Sequence, residues 1–154
     1  MNRGHSSPTV PLMLMMAAAV WAAHAANPDN AAAAQTVNGA YAVTFSVKAP
    51  STLQSGSTVT CKARVEPKPG APGSRPDAAQ MAQGVATLSG LSATCTVVVP
   101  FSFAYGDPRD GAALSYEVDA VNGTTLEAVR RQDGIAVPIP QAGGTANVHL
   151  DVNF

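Results

Sequence analysis

The sequence predicts an all-β fold: an antiparallel two-sheet β-sandwich, immunoglobulin-like, with seven to eight strands and one disulfide. Three observations carry this. Short stretches of alternating apolar and polar residues recur along the chain, separated by Gly-, Pro-, Asn- and Asp-rich turns. No stretch after the first 25 residues sustains a long helical period. The only two cysteines, Cys61 and Cys95, both fall on the apolar side of such alternating stretches.

The elements follow in order. Tyr41, Val43, Phe45 and Val47 share one strand face, with Ala42, Thr44, Ser46 and Lys48 on the other. Pro50 ends this strand because proline cannot donate to a ladder. In the second strand Val59, Cys61, Ala63 and Val65 point one way, and Thr58, Thr60, Lys62, Arg64 and Glu66 the other. Charges on one face only describe a strand with one wet side. Pro67 to Pro76 carries four prolines and reads as an exposed loop. Ala78 to Gln83 reads as one helical turn or an irregular edge, and Val85 to Leu91 as a short strand.

The strongest pattern runs from Thr94 to Tyr105. Cys95, Val97, Val99, Phe101, Phe103 and Tyr105 fall on one face, with Pro100 opposite, which predicts a bulge or a change of sheet there. Asp107 to Gly111 is a turn by composition. Leu114, Tyr116, Val118 and Ala120 form the next apolar face. Asn122-Gly123 then predicts a hairpin. A three-residue loop with a bulge sets Leu126 opposite Ala120 and Ala128 opposite Val118, the register that buries better. The return strand covers Thr125 to Arg131. Ile135, Val137 and Ile139, alternating with Ala136, Pro138 and Pro140, read as a separate edge strand protected by proline. After Gly143-Gly144, Val148, Leu150, Val152 and Phe154 alternate with Asn147, His149, Asp151 and Asn153.

Residues 1–25 read as an export signal. Arg3 supplies a positive start, Leu12 to Trp21 a short apolar core, and Ala23-His24-Ala25 a small-x-small cleavage pattern. Residues 26–39 form an expected flexible leader, and residues 40–154 the β-sandwich domain. The expected location is therefore periplasmic or extracellular. The chain holds 9 Lys and Arg against 10 Asp and Glu, and the signal takes only Arg3. The remainder is slightly acidic, which offers no electrostatic footprint for nucleic acid or an anionic membrane.

In an exported chain, two inward cysteines on different strands predict a disulfide, Cys61 to Cys95. No CxxC spacing supports a redox or metal role. The antibody-domain signature is absent, since the only tryptophan is Trp21, in the signal.

Catalytic chemistry has little to draw on. His5 and His24 leave with the signal, so His149 is the one histidine of the mature chain. GxSxG and HExxH are both missing. His149 and Asp151, with Asn147 and Asn153, share the polar face of the last strand, which reads as a solvated sheet face. Asp107 and Asp110 flank an arginine and lack calcium-loop spacing. Glu117 and Asp119 share one strand face, so they do not oppose each other across a cleft as glycoside hydrolysis needs. Asn122-Gly123-Thr124 fits the N-glycosylation pattern, but the hairpin turn already accounts for it.

The strictly alternating last strand, closing on Phe154, resembles the final strand of bacterial outer-membrane barrels and also the C-terminal strand of fimbrial subunits. The barrel likeness implies about eight long strands, which Pro50, Pro67, Pro100, Pro138 and Pro140 interrupt. The fimbrial likeness keeps the sandwich and the disulfide, but residues 26–39 lack the alternation of a donor strand.

The expectation is an exported, non-catalytic β-sandwich module for binding or structural assembly. It would need no cofactor or metal, and its partner would be a protein or surface ligand met by loops 67–77 and 107–111. The alternatives are a small outer-membrane β-barrel, or an enzyme or metal-binding protein that uses His149.

Overall fold

The computed structural model describes residues 35–68, 79–105 and 111–154. The expected signal, residues 26–34 of the expected leader and most of both expected recognition loops lie outside the described residues. Among the described residues seven strands form: β1 (Gln35–Lys48), β2 (Thr58–Pro67), β3 (Gln80–Thr87), β4 (Ser92–Tyr105), β5 (Ala112–Asn122), β6 (Thr125–Val137) and β7 (Thr145–Asn153). They make two sheets, of order β4-β1-β7 and β3-β2-β5-β6. Among the described residues the strands stack as an all-β two-sheet sandwich.

Alternation explains the core. Tyr41, Val43, Phe45 and Val47 of β1 and Val97, Val99, Phe101 and Phe103 of β4 are buried on the inner face of one sheet. Val59, Ala63 and Val65 of β2 and Leu114, Tyr116, Val118 and Ala120 of β5 are buried on the inner face of the other. Each large apolar side chain so removed from water contributes about 1.5–3 kcal/mol. The rings of Tyr41 and Phe101 lie 5.2 Å apart, and those of Phe101 and Phe103 stack at 4.8 Å. Phe45 and Tyr116 meet edge to face across the two sheets at 5.6 Å. Cys61 of β2 and Cys95 of β4 form a disulfide that also crosses between the sheets, their Cα atoms 6.6 Å apart.

Several sequence expectations are corrected. The first strand begins at Gln35 rather than near Tyr41, so the end of the expected leader is paired with β4. One pair departs from the antiparallel rule: β7 runs parallel to β1, from Ala40 opposite Thr145 to Lys48 opposite Asn153. Pro100 makes neither a bulge nor a change of sheet. It keeps register with Ala40, and β4 is the outer strand of its sheet, where a missing N–H is tolerated.

The expected helical turn at 78–83 and strand at 85–91 are replaced by one strand, β3. It pairs with β2 from Val65 opposite Gln80 to Thr58 opposite Thr87. Its pattern is inverted: Met81 and Val85 are exposed, while Ala82, Gly84 and Ala86 turn inward.

The hairpin register also differs. Asn122 pairs with Thr125, Val121 with Leu126, and, after a register shift, Ala120 with Ala128 and Val118 with Arg130. The turn is centred on Gly123-Thr124, with Gly123 at φ 60° and no non-glycine residue at positive φ, the geometry of a type II′ turn. The extra residue is Glu127, whose Oε2 lies 2.8 Å from the buried Ser57 Oγ. A second register shift sets Ser115 against Asp133 and Gly134. That bulge lets β6 run as one strand through Val137 where the sequence suggested two.

Candidate interaction surface

The residues read from sequence as the solvated face of the last strand do lie together on the outer face of β7. Asn147, His149, Asp151 and Asn153 are all exposed. Parallel register with β1 sets His149 beside Thr44 and Asp151 beside Ser46. His149 Nε2 is 3.1 Å from Ser46 Oγ and 3.7 Å from Asp151 Oδ1. A hydrolytic relay needs the hydroxyl on one ring nitrogen and the carboxylate on the other. Here both approach the same nitrogen, on an open face. Among the described residues no group of three or more His, Cys, Asp or Glu could hold a metal ion.

A second feature was missed by sequence reasoning. On the outer face of the four-stranded sheet, Lys62, Arg64, Met81, Gln83, Glu117 and Arg131 border an open groove of about 590 Å³. The register places Lys62 directly opposite Glu117. Lys62 Nζ donates to Glu117 Oε1 at 2.6 Å and to Asp119 Oδ2 at 2.8 Å. Arg131 pairs with the other oxygen of Glu117. The bond to Asp119, then that to Glu117, raises the Lys62 pKa, and Lys62 in turn lowers that of Glu117. Lys62, Arg131, Glu117 and Asp119 thus satisfy one another, and Arg64 pairs with Glu66 at 2.9 Å.

Asn122 of the glycosylation-like triplet donates from Nδ2 to Gln54 Oε1 at 2.7 Å, as a turn residue tied to its neighbouring loop. Asp107 and Asp110 lie outside the described residues.

The edges of the sheets distinguish one strand. A free strand edge invites pairing, and proteins blunt it with proline, charge, bulges or cover. β4 carries Pro100, and β3 presses against β4 at Gly84. β6 has two register shifts and carries Arg130, Arg131 and Asp133. β7 has no proline, lysine, arginine or register shift.

Its backbone is oriented for pairing. Phe154 N–H donates to Lys48 C=O, and Ala40 N–H donates to Gly144 C=O. Even-numbered residues of β7 thus turn their peptide groups toward β1. By strand alternation, Thr145, Asn147, His149, Asp151 and Asn153 turn theirs outward. On the core side Ala146, Val148 and Leu150 are only half-buried, because β6 does not pair with β7. Only Val152 is fully enclosed.

The chain matches no family model, no curated protein and no solved structure. Among the described residues no helix is long and apolar enough to cross a membrane.

Proposed function

We propose that this chain is an exported, non-catalytic β-sandwich module that binds or assembles with partners in the periplasm or at the cell surface. The observation that carries the reading is the β7 edge: a nine-residue strand in which five residues turn their peptide groups outward, with Ala146, Val148 and Leu150 half-buried on the core side and no proline, lysine, arginine or register shift. The inter-sheet disulfide suits an oxidising compartment. The open face around His149 argues for a surface that is met rather than a cleft where chemistry is sheltered.

The test is native separation of envelope and medium fractions from cells making the chain. The expected result is migration well above the 15.6 kDa of the chain, lost when Val148→Lys places a charge on the half-buried side of β7. Retention in the cytoplasm, or migration as a monomer unaffected by Val148→Lys, would overturn the reading.

A further inference from the structure

We infer that two copies of this chain join through β7, antiparallel and edge to edge, about a two-fold axis at Leu150. The inference rests on the assembly reading above and names the partner. It begins with the constraint that symmetry imposes: in an isologous contact the same strand must complement itself. The outward-turned residues of the two strands must also face each other, because they exchange the ladder hydrogen bonds.

Few registers satisfy both conditions. An axis at His149 sets that residue against itself. An axis at Asp151 opposes two carboxylates, which is destabilising. An axis at Val148 leaves His149 facing Asn147, and Asp151 facing Thr145. An axis at Leu150 sets His149 of each copy against Asp151 of the other, twice over, with Asn147 against Asn153. On the core side it sets Val148 against Val152, Leu150 against Leu150 and Ala146 against Phe154. Four pairs of outward-turned residues, 147 with 153 and 149 with 151 in both senses, exchange their hydrogen bonds. The side-chain pattern of β7 is thus self-complementary in one register, with a histidine facing a carboxylate, and in that register the apolar residues of the core side face one another. The product is one six-stranded sheet, in which β7 is no longer an edge.

Leu150 falls at a non-hydrogen-bonded pair, where opposing side chains approach closest. This makes the register directly testable in the full exported chain with its native disulfide. Leu150→Cys should give a cross-linked homodimer under mild oxidation, whereas Val148→Cys alone should not. Val148→Cys mixed with Val152→Cys should cross-link between the two proteins. Peptide mapping should find Cys61 and Cys95 still joined in each case. In sedimentation velocity the unaltered chain should be a dimer. Asp151→Lys should weaken dimerisation by about tenfold, and His149→Glu combined with Asp151→Lys should restore it.

A monomer at about 100 μM, a Kd too weak for specific association, would overturn the inference. So would cross-linking at Val148→Cys equal to that at Leu150→Cys, or a charge swap that fails to rescue. If the purified chain is monomeric while cell extracts hold it in a complex sensitive to Val148→Lys, the β7 edge takes a different strand: self-pairing fails and the assembly reading stands. Monomer in both settings removes both.

Discussion

Gly84 of β3 lies so close to Thr96 of β4 that a β-carbon on the glycine would sit 3.1 Å from the threonine carbonyl oxygen, and 3.3 Å from Val97 Cγ2. The two sheets therefore approach one another closely along this side, while β6 and β7 stay unpaired on the other. Adding side-chain volume at Gly84 has two opposing effects. Restricting the unfolded chain contributes about 0.4–1 kcal/mol. Overpacking costs about 1–3 kcal/mol. Gly84→Ala should therefore change stability by less than about 1 kcal/mol. Gly84→Val, which cannot relax against a backbone oxygen, should destabilise by about 2 kcal/mol. Urea denaturation with an unchanged slope would measure both.

The disulfide spans 34 residues of sequence and bolts the inner faces of the two sheets together. A closed loop of that length corresponds to about 3–4 kcal/mol in the chain-entropy model. Replacing Cys61 and Cys95 together with Ala, or reducing the wild-type chain, should lower unfolding free energy by that amount. The folded, oxidised chain should titrate no free thiol, since the described residues include no free cysteine.

The Lys62 cluster makes stability depend on pH at both extremes. Lys62 holds the Glu117 pKa down, so that pair stabilises the fold at neutral pH and the stability is lost as pH falls below about 4.5, the ordinary glutamate value. At the other extreme Glu117 and Asp119 hold the Lys62 pKa above 10.5, so stability there is lost as pH rises through that raised value. Lys62 is one-third exposed, and solvent screening limits the effect. Lys62→Met should cost about 1 kcal/mol at neutral pH. It should also flatten the acid side of the profile, because Glu117 then titrates nearer its ordinary value. Thermal melts from pH 3 to 7 would show both.

The strands legible in the sequence were those whose large residues face the core. β2, β4, β5 and β7 keep strict alternation, and Cys61 and Cys95 fall where the two inner faces meet. β3 was obscured because its inner positions are Ala82, Gly84 and Ala86, small enough to fit against β4, while Met81 and Val85 face solvent. Its periodicity is real but reads backwards. The hairpin register failed because local burial favoured placing Leu126 inward. The type II′ turn and the Glu127 bulge instead leave Leu126 57% exposed. Pairing between distant strands has no local signal either. The parallel β1–β7 ladder, the opposition of Lys62 to Glu117 and the open β7 edge all follow from topology. The polar face of β7 could be read directly, but not that its strand lies at an edge.

Tyr41 connects the core to the crossover that delivers β7. Its ring is fully buried, and its hydroxyl donates to the carbonyl oxygen of Pro138 at 2.9 Å. Pro138 immediately follows β6. The segment from there to Gly144 crosses to the other sheet, where Gly143 N–H meets Asn38 C=O at 2.9 Å. Tyr41→Phe keeps the ring and its contact with Phe101 but leaves the Pro138 carbonyl without this donor. A lost buried hydrogen bond of this kind costs about 1–1.5 kcal/mol. The cost should be local as well as global: amides of residues 141–146 should exchange faster with solvent deuterium, while those of β2 and β5 keep their relative protection. Uniform acceleration across both sheets would mean that Tyr41 stabilises the core as a whole rather than the crossover.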